Sequence, residues 1–103
     1  MTPKAMSFQV KFTDTALEDL RYFRKFDQAI VIDGITEQLE HEPLRQTRSK
    51  KPLRPNEVSR WELRIDRFRV FYDADAENQV VLIKAVGWKE HNTLIIRGRE
   101  FHL

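Results

Sequence analysis

From residue 7 the chain alternates, with Phe8, Val10 and Phe12 on one side of an extended segment and Gln9 and Lys11 on the other. That period of two predicts a half-buried strand over 7–13. The period then lengthens. In TALEDLRYFRKF (15–26), Leu17, Leu20 and Phe23 form an apolar stripe at helical spacing, and Thr15 with Glu18 has the spacing of a capping box. Asp27 is placed to cap a second helix, QAIVIDGITEQLEHE (28–42), whose stripe is Val31, Ile35 and Leu39 and which Pro43 ends. Gly34 in its middle costs about 1 kcal/mol against alanine, and points to close helix packing. So short a link between the two predicts an antiparallel αα-hairpin.

Residues 43–59, PLRQTRSKKPLRPNEVS, have three prolines, many basic residues and no periodicity, which predicts a long basic loop. Alternation returns at 60–66, with Trp61, Leu63 and Ile65 directed inward and Arg60, Glu62 and Arg64 outward. Asp66-Arg67 is short enough for a tight turn into a strand over 68–73, where Arg69 and Phe71 oppose Phe68, Val70 and Tyr72. A turn in ADAEN precedes QVVLIKAVGW (79–88), nearly continuous in apolar residues, as a central strand covered on both faces would be. The tail from Lys89 is irregular, with room for a turn and a short closing strand or helix. The order β-α-α-β-β-β predicts a single α+β domain over 7–103, a mostly antiparallel twisted sheet with the helical hairpin on one face. Residues 1–6, polar and aperiodic, read as a disordered leader.

Composition narrows the chemistry. The chain of 103 residues is long enough to bury a core and contains no cysteine, which removes disulfides, thiolate catalysis and Cys-type zinc sites. No apolar run approaches the roughly 18 residues that span a bilayer, and no signal-peptide core is present, so a cytoplasmic protein without membrane contact is expected. Net charge is only +2, yet it is unevenly spread. Residues 14–42 carry −5 and residues 43–72 carry +6, a polarity that suits a phosphate-bearing partner.

The outward face of the two strands after the basic loop presents Arg60, Glu62, Arg64 and Arg69. Arginine forks bind phosphate oxygens bidentately and can stabilise charge developing in a transition state. Lys50, Lys51 and Arg54 precede them and could grip a nucleic-acid backbone. The same residues also fit a solvated face on which arginines pair with Glu62 and Asp66. His91, following the central strand beside Lys89, fits an exposed loop and is also a candidate general acid or base. His41, His91 and His102 have no metal-ligand spacing, and the three glycines form no phosphate loop. No metal or cofactor is therefore expected.

FTDTALEDL, EPLRQTRSKKPLR, RWELRIDRFRVFYDAD and VVLIKAVGWKEHN, in this order over about residues 8–95, resemble the RelE/ParE superfamily of bacterial type II toxins. The resemblance implies a helical hairpin on a twisted antiparallel sheet and a small acidic antitoxin that neutralises the toxin. RelE-like members enter the ribosomal A site and cut mRNA without a metal, the 2′-hydroxyl attacking the adjacent phosphate. ParE-like members inhibit DNA gyrase. On the RelE pattern Arg69 is the strand arginine that stabilises the transition state, Arg60 stands for a strand lysine, Arg64 for a further basic position and Lys89 for a C-terminal arginine. Glu62 replaces a second lysine, and Ile95 stands near the usual C-terminal tyrosine, which leaves Glu62 or His91 as the proton-transfer group. The expected site is then Arg69, Arg64, Lys89, His91 and Glu62, with RNA held by Arg60, Lys50, Lys51 and Arg54. The resemblance carries no expectation of oligomeric state.

Overall fold

The computed structural model describes residues 7–103, and the leader expected over 1–6 lies outside them. Strand β1 (Gln9–Phe12) leads into helix α1 (Asp14–Leu20). The cap of α1 is Thr13 rather than Thr15: its backbone is extended (φ −70, ψ 160) and its hydroxyl accepts the Ala16 N–H at 3.0 Å. The helix packs through Ala16, Asp19 and Leu20, while Leu17, expected in the stripe, is 50% exposed. The helix also ends sooner than its pattern suggests, at Leu20, and residues 21–24 turn the chain into helix α2 (Lys25–Leu39). Asp27, expected as the cap of α2, lies inside its first turn and accepts from Arg24 Nε at 3.3 Å.

Val31, Ile35 and Leu39 are fully buried along α2, each burial worth roughly 1.5–3 kcal/mol. They pack with Leu63, Phe68, Val70, Tyr72, Val81, Ile83 and Val86 of the sheet. A β-carbon on Gly34 would lie 2.4 Å from Ile65 Cδ1, so the close packing expected there is of helix on sheet. Among the described residues no helix is long and apolar enough to cross a membrane.

The remaining strands are β2 (Lys50–Pro52), β3 (Trp61–Ile65), β4 (Phe68–Asp75), β5 (Val80–Glu90), β6 (Thr93–Ile96) and β7 (Arg99–Phe101). They form one sheet in that order, all antiparallel, with β1 joining β5 in parallel beside Val80–Ile83 and β6 joining the same edge beyond Trp88. Phe71 faces Ala85 while Tyr72 faces Ile83, so Lys84 is an extra residue, a β-bulge.

Two parts of this architecture depart from the sequence reading. The basic segment is not a plain loop, because it contains β2 and is bonded along its length. The Thr47 hydroxyl accepts from Ser49 N and Lys50 N, Leu53 N donates to Arg60 O at 2.7 Å, and the Asn56 carboxamide bonds Arg54 O, Ser59 O, Val58 N and Ser59 N. The tail holds more than a turn and one short closing element. It forms the β6–β7 hairpin, which folds over the second sheet face and makes a separate core of Phe71, Ala85, Leu94 and Ile96 against Leu53, Val58 and Phe101.

One buried ionic link joins the two layers. Asp19, fully buried, accepts the Val86 N–H at 2.9 Å beside the bulge and also the Nη1 of Arg97 in the β6–β7 turn. Burial pushes its carboxyl above the ordinary value, and the Val86 and Arg97 bonds act in the opposite sense.

Candidate functional site

The face of β3 and β4 turned from the helices is set by register. Arg64 lies directly opposite Arg69, Glu62 opposite Phe71, and Lys51 of the edge strand opposite Glu62. Like charges facing across a ladder destabilise a sheet, so the Arg64–Arg69 pair is costly unless an anion joins it. Arg69 is only 8% exposed, and its Nη1 donates to Asp66 O at 2.7 Å and Phe68 O at 2.9 Å. Asp66 holds the left-handed conformation (φ 51) that an aspartate tolerates in a tight turn. These bonds fix the guanidinium plane, and among the described residues its Nε and Nη2 have no bonded partner. Burial, with Arg64 beside it, lowers the Arg69 pKa, while Glu62 acts to raise it.

Glu62 is the other buried charge on this face, 8% exposed and 3.8 Å from Lys51 Nζ. It lines a groove of about 290 Å³ with Lys51, Leu53, Lys89, Asn92, Leu94, Phe101, His102 and Leu103. One carboxylate thus stands among four cations, Lys51, Arg64, Arg69 and Lys89, on a face part apolar and part basic. Such a place attracts an anion and has proton-transfer groups beside it.

The structure therefore brings together Arg64, Arg69, Glu62, Lys89 and Lys51. Arg54 is exposed on the wall of an adjoining hollow that Lys51 also lines. Arg60 is exposed at the far end of β3, its backbone N–H held by Asp73 Oδ1 at 2.7 Å. Two expected residues stand elsewhere. Lys50 is turned to the helix face, where its buried Nζ donates to Gln38 O and Glu42 O at the end of α2. That placement makes it a helix-end cap and not an RNA-binding lysine. His91 sits at the tip of the β5–β6 turn, exposed and left-handed (φ 57), and does not line the groove. The histidine that does is His102, carried in by β7.

The sequence pattern does not bring His102 and Asn92 to the site, because the tail from Lys89 shows no clear period. The signal was present: Leu94, Ile96 and Phe101 flank Arg97-Gly98, and both turn residues have positive φ (50 and 72). A hairpin read there places residue 102 beside the groove. Neither tyrosine reaches this site. Tyr72 is buried on the helix face and donates its hydroxyl to Pro43 O at 2.7 Å, burial raising its pKa. Tyr22 is exposed at the corner between the helices.

A helical hairpin thus covers one sheet face and a basic groove lies on the other. The profile of the ParE toxin of the type II parDE system matches residues 10–92. The toxin–antitoxin complex RelBE2 of Mycobacterium tuberculosis contains a chain similar to this one at 31% identity and a TM-score of 0.72, over 85% of this chain and 98% of that one. A chain of the archaeal RelE–RelB complex of Pyrococcus horikoshii shares the fold, with a TM-score of 0.65 at 18% identity over 84% and 99% of the two chains. No curated protein matches the sequence. The protein belongs to the RelE/ParE superfamily of type II toxins.

Proposed function

We propose that the protein is a RelE-like, ribosome-dependent endoribonuclease of the cytoplasm, neutralised by a small acidic antitoxin. The observation that carries this reading is Glu62, a nearly buried carboxylate beside Lys51, on the face where Arg64 and Arg69 stand opposed. A surface meant only to bind has little use for a buried acid among cations; a site that must move a proton beside a phosphate needs one.

In the proposed reaction Arg69 and Arg64 hold the scissile phosphate of an mRNA strand. Glu62 takes the proton of the 2′-hydroxyl, whose oxygen attacks phosphorus. The P–O5′ bond breaks as His102, which replaces His91 in this role, gives a proton to the leaving oxygen. A 2′,3′-cyclic phosphate and a 5′-hydroxyl result. Lys89 and the arginines offset the charge gathering on the phosphoryl oxygens, a term typically worth about 10²–10³ in rate for each donor. No metal or cofactor takes part.

The ParE profile favours a second reading, inhibition of DNA gyrase by binding. Induction in bacteria separates the two. The ribonuclease reading expects translation to stop first, with mRNA cut at the ribosomal A site, and Glu62→Gln to lose about 10²–10⁴ in cleavage rate while folding normally. Arrest of replication with intact mRNA, and inhibited supercoiling by purified gyrase, would favour the second.

A further inference from the structure

The groove at Glu62 does not end at Lys51. It continues along the edge of the sheet into a hollow of about 580 Å³ lined by Lys51, Pro52, Leu53, Arg54, Pro55 and Leu103 among others. Lys51, Leu53 and Leu103 line both. The larger space falls within the roughly 300–1,000 Å³ range of small-molecule sites. Its walls combine two proline rings and aliphatic leucine surface with the cations Lys51 and Arg54.

Two features identify what it holds. First, its wall is preorganised. Asn56, which also lines it, spends both ends of its carboxamide on four backbone groups of its own loop, and Thr47 and the Leu53–Arg60 bond fix the segment on either side. A wall whose polar side chain is so engaged reads no hydrogen-bonding pattern, and offers apolar area and charge instead. Second, the edge cannot template a peptide strand. Pro52 has no N–H, while the Lys50 N–H and C=O are taken by Thr47 Oγ1 and Thr47 N. A flat apolar body attached to an anion fits this hollow, and a polypeptide pairing along the edge does not.

We infer that the hollow bounded by Lys51–Pro55 is a second nucleotide subsite, taking a base of the same strand some nucleotides along from the phosphate at Arg64 and Arg69, whatever its identity, with a further phosphate on Arg54. The inference rests on the endoribonuclease reading for its substrate and extends it to a single strand held over at least two nucleotides. Bases lie against apolar and guanidinium surfaces without sequence reading because every base presents a π-face. Arg54 and Pro55 are exposed, so they can be changed without disturbing the fold.

The test is the binding of fluorescein-labelled oligouridylates of one to six nucleotides to the whole protein, followed by anisotropy across a salt series. The unsubstituted protein is expected to gain affinity as the strand lengthens from one nucleotide to about four, and to gain about equally on oligoadenylates. Arg54→Ala should lower the slope of log K against log salt by about 0.7, the value for one phosphate contact on a single strand. Pro55→Glu should remove the last step of that gain, with an unchanged far-ultraviolet spectrum. Slopes and length dependence in both variants equal to those of the unsubstituted protein would overturn the subsite, as would the absence of measurable binding at low salt. Displacement of the oligonucleotides by an unstructured acidic peptide, equally reduced by Pro55→Glu, would also overturn it in favour of a protein ligand. Failure of the ribonuclease reading shows differently: no A-site cuts in mRNA, with oligonucleotide binding still dependent on Arg54.

Discussion

Alanine at Gly87 and alanine at Gly34 are the same chemical change with opposite expected outcomes. A β-carbon at Gly87 would lie 2.3 Å from the carbonyl oxygen of Ile95, 2.8 Å from Ile96 Cγ1 and 3.2 Å from the Ile95 carbonyl carbon. Carbon and oxygen approach no closer than about 3.3 Å in ordinary C–H···O contacts, so β6 must retreat by about 1 Å. The obstacle is backbone, and its neighbours are paired, Ile95 with Trp88 and Leu94 with Lys89. Retreat therefore weakens one or two ladder bonds at about 0.5–1.5 kcal/mol each and adds an overpacking strain of about 1–3 kcal/mol. A loss of about 2–4 kcal/mol lowers the Tm of a domain this size by on the order of 10 °C. At Gly34 the nearest atom is Ile65 Cδ1 at 2.4 Å, the end of a side chain that can rotate, and alanine gains about 1 kcal/mol of helix propensity. There the net change should stay within about 1 kcal/mol of zero. Urea unfolding and thermal melts of both variants decide the matter. If Gly87→Ala melts with Gly34→Ala and the unsubstituted protein, then β6 is not held against β5 and the reasoning fails. Movement of β6 also displaces Leu94 and Phe101 from the groove floor, so cleavage by Gly87→Ala should fall together with its stability.

Two further outcomes are expected. Arg97→Ala leaves the buried Asp19 carboxylate with the Val86 N–H alone, at a cost near the lower end of about 3–5 kcal/mol because Arg97 is itself 31% exposed. Since the Asp19 pKa is raised on folding, its contribution to stability falls as pH rises from the ordinary 3.8 through the raised value. Removing Arg97 raises it further, so urea midpoints should show a smaller loss for Arg97→Ala at about pH 5 than at about pH 7; an equal loss would contradict the assignment. Tyr72→Phe deletes the hydroxyl bonded to Pro43 O and should cost about 1–2 kcal/mol, with toxicity in an induction assay unchanged.

The helical hairpin, the β3–β4 arm and the central strand were legible because each depends on a local period. Val31, Ile35 and Leu39 could face only one way, and Arg64 opposite Arg69 followed once Asp66-Arg67 was read as the turn. What escaped depends on partners distant in the chain. Lys50 reads as one more cation in a basic run, and only β2 packing beside the end of α2 turns it to Gln38 O and Glu42 O. Thr15 and Glu18 satisfied a capping pattern, but Thr13 sits where β1 leaves the sheet, so the helix starts there. Glu62 shows in the sequence only as an outward acid, a candidate for proton transfer or for pairing on a solvated face; the hairpin that buries it begins about thirty residues later, in a tail without clear period. For the same reason His91, next to the central strand in sequence, drew the acid–base role that His102 fits in space.

The placement of β1 also bears on when the site comes into being during synthesis. Gln9 pairs with Val80 and Phe12 with Ile83, so the first strand has no β5 to join until about seventy further residues have been made. Contacts this distant in sequence form late and slowly. The groove comes later still, since its floor at Leu94 and Phe101 and its His102 belong to the last hairpin. A nascent chain stalled before β6 carries Arg64, Arg69 and Glu62 on an uncovered sheet face, without the wall that makes them a site. A groove on this face therefore waits for the β6–β7 hairpin, and until that hairpin forms the strands are open to any partner that recognises them.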